Sequence, residues 1–410
     1  MSNKVSVTLL TGGSDRPYVF GLLNELLAKA ATLDLIGSDD LDSAEFNNQT
    51  GLTFYNLRGD LNSGARLSVK VSRIIKYYSK LIQYAAKASP RIFHILWNNK
   101  FETFDRTLLI LYYKFLGKKV VFTAHNVNKG KRDSENTLLN RATLRIQYRL
   151  VDHIFVHTAR AKQELMKDFG VPEAKTTVIP FGINNFAPNT SLTTTEARQR
   201  LGIKDGEKVI LFFGRITPYK GVEYLISALR QVSARCGDYR LVIAGRPDGS
   251  EEYWRKIQGE AQEEILKGRV ILRSEYIPED QTELYFKAAD VLVLPYTYIY
   301  QSGVLFLGHT FGLPVLAADV GSLKDEIIEG ENGFVFESQN ADSLAKAIET
   351  YFASELFQNL ESRRQRIRDR VTQEHSWDVV GTLTIKVYSD LLQLPRSGEA
   401  SNRESSQAST

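Results

Sequence analysis

The sequence predicts an α/β protein made of two doubly wound domains with parallel sheets. Three observations predict it. Short β-branched and apolar runs alternate with longer helix-like segments along both halves of the chain, the pattern of parallel strands with helices on both faces. Many of these runs are unbroken apolar rather than alternating, as strands buried on both faces are. A polar, proline-bearing stretch at Phe186–Glu196 divides the 410 residues into halves of similar size, as a linker does.

In the first half the expected strands are Val5–Leu10, Leu33–Ile36, Leu52–Leu57, Ile92–Leu96, Val120–Thr123, His153–Val156 and Thr177–Ile179. In the second half they are Val209–Phe213, Leu241–Ala244, Val270–Leu272, Val291–Leu294, Val315–Ala317 and Phe334–Phe336. The domain reading is 1–186 and 187–375, both Rossmann-like, then a helix over 376–394. The tail 395–410 is small, polar and free of aromatics, and is expected to be disordered.

Composition is ordinary for a globular protein, with 43% hydrophobic and 24% charged residues. The lone cysteine, Cys236, excludes an intrachain disulfide framework and suits a reducing compartment. The apolar run at the N-terminus is too short for a signal-peptide core, and no window has the length of a transmembrane helix. The expected location is cytoplasmic, with a peripheral site at the inner face of the membrane. Net charge is +4, too small to imply nucleic acid as a partner. The charge is nevertheless uneven. From Leu61 to Lys100 there is no Asp or Glu, while Arg66, Lys70, Arg73, Lys76, Lys80 and Lys87 punctuate a helical pattern. Leu67, Val71, Ile74, Ile75, Tyr78, Ile82 and Ala85 are expected to form its docked face. The basic face at 66–87 is either merely solvated or meets anionic lipid headgroups.

The chemistry sits at strand ends, where open α/β sheets bind ligands. The stretch VILFFGRITPYKG ends a buried strand at Gly214 and delivers Arg215 and Lys220 to one loop. Arginine grips two phosphate oxygens and lysine adds a point charge, so the pair suits a leaving diphosphate. Gln301-Ser302-Gly303 forms a turn into a helix from Val304 to Phe311. The N–H groups of Ser302, Gly303 and Val304 make a phosphate seat at its start. His125 closes the run VVFTAHNV beside Asn126 and is a ligand-facing candidate. Gly12 and Gly13 follow the first strand and allow close backbone approach, to a ligand or within a plain tight turn. Their setting is not GxGxxG, which counts against a dinucleotide oxidoreductase. The pair Asp40 and Asp42 is formally DxD and reads as a solvated loop.

Taken together these motifs resemble the GT-B fold glycosyltransferases of family 4, the retaining type. The resemblance is carried by Gly214, Arg215, Lys220 and Gly221; Ala244-Gly245; Tyr276-Ile277-Pro278; Ala288-Ala289-Asp290; Phe311–Val315; and Gly321 with Glu326. Thr123–Asn126 and Ile179–Asn184 match in the first half. It implies two Rossmann-like domains facing a cleft, with a C-terminal helix, Ser376–Leu392, returning to the first domain and Trp377 packing there. It assigns Arg215 and Lys220 to the donor diphosphate, His125 to the donor sugar, and Tyr276 and Ile277 to the base. It implies a nucleotide-sugar donor, a glycan or lipid-linked acceptor, and no metal or other cofactor.

One departure matters. The family usually carries two glutamates before the G-x-P-V segment, at positions held here by Ile299 and Leu307. The chain thus resembles a subset with a Q-S-G-V segment, in which Gln301 and Ser302 contact the sugar instead, with His309 a further polar substitute. A catalytically degenerate scaffold, or another GT-B enzyme such as a nucleotide-sugar epimerase, are the alternatives.

Overall fold

The computed structural model describes residues 5–12, 15–42, 49–60, 64, 66–132, 137–183, 188–235 and 237–394. The predicted tail 395–410 and Gly13 lie outside them. The chain divides into two compact units, Met1–Gly182 with Trp377–Thr410, and Ile183–Ser376.

The first unit holds β1 (Ser6–Leu10), β2 (Thr32–Gly37), β3 (Leu52–Asn56), β4 (Ile92–Ile95), β5 (Lys119–Thr123), β6 (His153–Val156) and β7 (Thr176–Val178). They form one seven-stranded sheet in the order β3-β2-β1-β4-β5-β6-β7. Every pair is parallel, with Val7 opposite Leu33 on β2 and Ile92 on β4. The second unit holds β8 (Lys208–Phe213), β9 (Tyr239–Ala244), β10 (Val270–Arg273), β11 (Val291–Leu294), β12 (Val315–Ala318) and β13 (Gly333–Phe336). Their order is β10-β9-β8-β11-β12-β13, again all parallel. Each predicted strand has its counterpart, with ends shifted by two residues at most. β4, β6, β11 and β12 are buried along their whole length, as expected of strands covered on both faces.

Both sheets reverse their winding once, between β1 and β4 and between β8 and β11. At such a switch the flanking loops diverge and leave a crevice beyond the carboxyl ends of the strands.

The helix Trp377–Leu392 belongs to the first unit and packs on the helix Arg16–Ala28. Trp377 is the wedge. A methyl carbon placed on Gly21 would lie 1.9 Å from its indole, and one on Gly182 2.4 Å away, so both positions need glycine to admit the ring. Lys29 and Asp378 pair at 2.7 Å across the same contact.

The basic helix Leu67–Lys87 corrects one expectation. Its docked side is Tyr77, Leu81 and Ala85, whereas Leu67, Val71, Ile75 and Ile82 are exposed, Leu67 at 76%. The helix carries two apolar stripes, and the tyrosine-bearing one wins. Its rings bury area while their hydroxyls reach polar partners in the unit: Tyr77 donates to Asn99 at 2.9 Å, Tyr78 to Asp105 at 2.8 Å and Tyr84 to Asp34 at 2.5 Å. No helix among the described residues is long and apolar enough to cross a membrane.

Candidate functional site

In the second unit the site grows from the β8 and β11 ends. Gly214, at φ +106°, directly follows β8; a methyl there would sit 3.5 Å from Val304 Cγ2 and 4.0 Å from Lys220 Nζ. The Pro218–Lys220 turn closes on Gly221, whose φ is +64°. A methyl on Gly221 would lie 2.1 Å from the Pro295 carbonyl oxygen, so glycine lets the Lys220 loop press against the β11 end. Lys220 is buried, and its Nζ donates to the Tyr296 hydroxyl at 2.5 Å and lies 4.0 Å from that ring's centroid. Tyr296 is itself fully buried, and burial pushes its phenol well above the ordinary range. A neutral phenol therefore holds the ammonium.

Ser302 is buried and its hydroxyl turns to Tyr296 Oη at 3.4 Å. It makes no side-chain cap on the helix Gly303–Thr310. Asp15, Thr158, Thr193, Ser250 and Asn340 all cap theirs. The Leu305 N–H donates to the Ser302 carbonyl at 3.1 Å, so it is the Gly303 and Val304 N–H groups that the helix start leaves without a side-chain cap. Gln301 Oε1 accepts from Ser322 Oγ at 2.6 Å, which fixes the carboxamide. Arg215 is more than half exposed and pairs with Asp248 at 2.8 Å. Tyr276 is exposed and Ile277 buried. Ile299 and Leu307 are buried, and so is His309, whose electrostatic neighbours are Glu326 and His375 rather than Lys220.

In the first unit four adjacent strands end in a chain of contacts. Trp97 follows β4, His125 follows β5, His157 follows β6 and Ile179 follows β7. The indole of Trp97 stacks on the His125 imidazole, 4.3 Å between centroids and 4° between planes. His125 Nδ1 lies 3.0 Å from His157 Nε2, and His157 Nδ1 lies 3.3 Å from the Ile179 carbonyl oxygen. A carbonyl only accepts, so with both rings neutral the His157 proton sits on Nδ1 and its Nε2 accepts from His125 Nδ1–H. His125 Nε2 is then a lone pair, buried and without a hydrogen-bond partner among the described residues. Burial, reinforced by His157 and then His94, holds this imidazole well below its ordinary value. Gly12 spends its positive φ on the Trp97 backbone: a methyl there would lie 1.9 Å from the Trp97 carbonyl oxygen.

Sequence reasoning missed Trp97, His157 and Tyr296. Trp97 and Tyr296 each stand two residues beyond the strand across the winding reversal, a positional signal present in the strand pattern.

Two family models match, "Glycosyltransferase Family 4" over residues 17–185 and "Glycosyl transferases group 1" over residues 193–372. An uncharacterised glycosyltransferase of Methanocaldococcus jannaschii is 30% identical over 236 residues, 57% of this chain and 58% of that protein. A D-inositol 3-phosphate glycosyltransferase of Corynebacterium glutamicum is 27% identical over 288 residues, 67% of each chain. Among solved structures, sucrose-phosphate synthase of Thermosynechococcus elongatus aligns over 95% of this chain and all of its own, with a TM-score of 0.75 at 21% identity. Anabaena HepE, in complex with UDP and glucose, aligns over 94% of this chain and all of its own, with a TM-score of 0.73 at 15% identity. The two doubly wound sheets and both family matches agree: the chain belongs to the family 4 glycosyltransferases of GT-B fold.

Proposed function

We propose that the protein moves a hexosyl unit from a nucleotide-sugar to a glycan or lipid-linked acceptor, with retained anomeric configuration, in the assembly of surface polysaccharide or glycoconjugate. The observation that carries this reading is the buried Lys220 ammonium, held by Tyr296 beside Gly214 and the uncapped start of the Gly303 helix. A fixed cation and the N–H groups of an uncapped helix start stabilise a diphosphate as its charge grows, with no reorganisation at the moment of bond breaking. Arg215 adds a second cation once it turns from Asp248. Tyr276 and Ile277 flank the base, and Gln301 and Ser302 contact the sugar. His125 presents Nε2 as an acceptor to a sugar hydroxyl. A phosphate oxygen of the departing diphosphate takes the acceptor's proton, so the step uses no carboxylate base and no metal. HepE's complex with UDP and glucose makes UDP-glucose the first donor to try. The proposed place of work is the cytoplasmic face of a membrane, met through the basic helix at 66–87.

The test is donor turnover. Purified protein with UDP-, GDP- and ADP-sugars should release nucleoside diphosphate, and Lys220→Met should lose that release.

A second reading has one observation in its favour. Ile299 and Leu307 are buried and apolar where relatives usually place glutamates. A degenerate nucleotide-binding scaffold would bind the donor and release nothing.

A further inference from the structure

We propose that a pocket in the first unit binds the phosphate group of the acceptor. The phosphate site stands on its own geometry; the word acceptor rests on the function proposed above. The cavity measures about 660 Å³, within the range of small-molecule sites. It opens beyond β1, β3 and β4, at the winding reversal of the first sheet. One wall is the basic helix, through Lys70, Arg73, Ile74, Tyr77 and Tyr78.

Its charge is strongly one-sided. Arg58, Lys70, Arg73, Lys100 and Lys129 line it against Asp60 and Glu102. Both acids are already engaged, Asp60 by Arg73 at 2.7 Å and Glu102 by Arg106. Among the described residues Arg58, Lys70 and Lys100 form no direct ion pair; Arg58 is offset in part by the buried Asp105 beyond Asn99, whereas the charges of Lys70 and Lys100 remain for a ligand.

Arg58 is the built element. Its Nη2 donates to Asn99 Oδ1 at 2.9 Å, and its guanidinium lies 5.2 Å from the Tyr77 centroid. Asn99 is held in turn: Tyr77 Oη donates to its Oδ1 at 2.9 Å, and its N–H donates to the buried Asp105 at 2.7 Å. The guanidinium is thus fixed in plane with donors left over, the geometry that takes phosphate oxygens in pairs. Lys70, on the basic helix, and Lys100, beyond β4, supply point charges to the same cavity. Aromatic rings on one wall suit the sugar or polyol that carries the phosphate. These cations are separate from Arg215 and Lys220, which belong to the other unit, so the donor diphosphate does not account for them.

The test is equilibrium dialysis of labelled inorganic phosphate in the presence of saturating UDP, with UDP affinity read by calorimetry on the same protein. Wild type should retain phosphate. The pair Arg58→Gln and Lys100→Gln should weaken it at least about tenfold and leave UDP affinity unchanged, while Lys220→Met should do the reverse. Arg58→Lys, which keeps the charge and loses the fork, should fall between and controls for folding. Phosphate affinity that ignores the double variant, or that falls with Lys220→Met, overturns the assignment. Failure of UDP to bind sinks the donor reading instead and leaves the phosphate result standing. Two competitors identify the source: glucose 6-phosphate for a soluble acceptor, phosphatidic acid vesicles for a lipid-borne one. Displacement by either supports the site, and displacement by neither contradicts it.

Discussion

Lys220 donates to the hydroxyl of Tyr296 at 2.5 Å and lies 4.0 Å from the centre of the same ring. One phenol thus fixes the ammonium twice, by a hydrogen bond and by the ring face. The consequence is a graded series. Lys220→Met removes the charge and should lower turnover by roughly 10²–10³. Tyr296→Phe keeps the ring and loses the hydrogen bond, and should cost about tenfold. Arg215→Ala should lower turnover on the same scale as Lys220→Met, because the exposed Arg215 serves once it leaves Asp248. Steady-state kinetics on the three proteins check the order, and wild-type turnover in Lys220→Met refutes the diphosphate assignment.

His157 touches His125, not the proposed substrate, and acts by fixing which nitrogen of His125 carries the proton. His157→Gln can still accept from His125 Nδ1–H and donate to Ile179, and should retain activity. His157→Leu frees the ring to expose an N–H instead of a lone pair. That variant should raise the barrier by about one hydrogen bond, roughly tenfold in kcat/KM. It should also lose discrimination against a donor lacking the hydroxyl that His125 meets. A deoxy-donor panel reads both effects; equal losses for Gln and Leu would assign His157 a packing role alone.

Three further buried imidazoles make the fold acid-sensitive. Burial pushes His94 down to about 3, and His153 and His309 down to about 4, from an ordinary 6.5. The unfolded chain therefore binds protons below about 6.5 that the folded chain does not, so these groups contribute full stability above that pH. The contribution declines as pH falls from about 6.5 towards 4. His94 accepts or donates to Tyr388 at 2.6 Å and Thr123 at 2.7 Å, contacts a glutamine can replace. Melting curves of His94→Gln between pH 7 and 4 should fall less steeply than wild type, by about one proton's worth of slope. An unchanged slope contradicts the neutral assignment.

Much of this architecture was legible before the structure, and the exceptions have physical causes. Parallel strands such as VLVL at β11 and VILFF in β8 announce themselves, because burial on both faces leaves no polar alternation. The glycines at 214 and 221 were legible because few residue types satisfy positive φ. The docked side of the basic helix was not. Leu67, Val71 and Ile75 share the helical period of Tyr77, Leu81 and Ala85, and periodicity cannot rank two stripes. What ranks them is the reach of the tyrosine hydroxyls to Asn99, Asp105 and Asp34, partners distant in sequence. Tyr296 and His157 were missed because a lone aromatic or histidine after a strand has the composition of core.

The exposed stripe yields a membrane prediction. The helix Leu67–Lys87 carries exposed Leu67, Val71 and Ile75 together with Lys70, Lys76 and Lys80. Each cation near an anionic surface is worth about 1 kcal/mol, falling off within a Debye length. Sedimentation with phosphatidylglycerol vesicles should pull the protein down at low salt and release it at high salt. Lys76→Gln with Lys80→Gln should weaken this, as should Leu67→Ser with Ile75→Ser. Retention by neutral vesicles alone would contradict an anionic surface.

Trp377 should matter for stability rather than for the chemical step. It is buried against Gly21 and Gly182, and Trp377→Ala should cost about 3–5 kcal/mol. Denaturant unfolding measures the loss, and a variant of unchanged stability would remove the wedge role given to the indole.

The most direct test of the central claim is a thermal-shift panel of UDP, GDP, ADP and their sugar conjugates on wild type and Lys220→Met. A ligand at a hundred times its Kd stabilises by about 2.7 kcal/mol, a shift of a few degrees. The account predicts that one nucleotide family shifts wild type and that Lys220→Met loses most of the shift. A flat panel at millimolar ligand, or an equal shift in both proteins, would contradict a donor diphosphate held at Lys220.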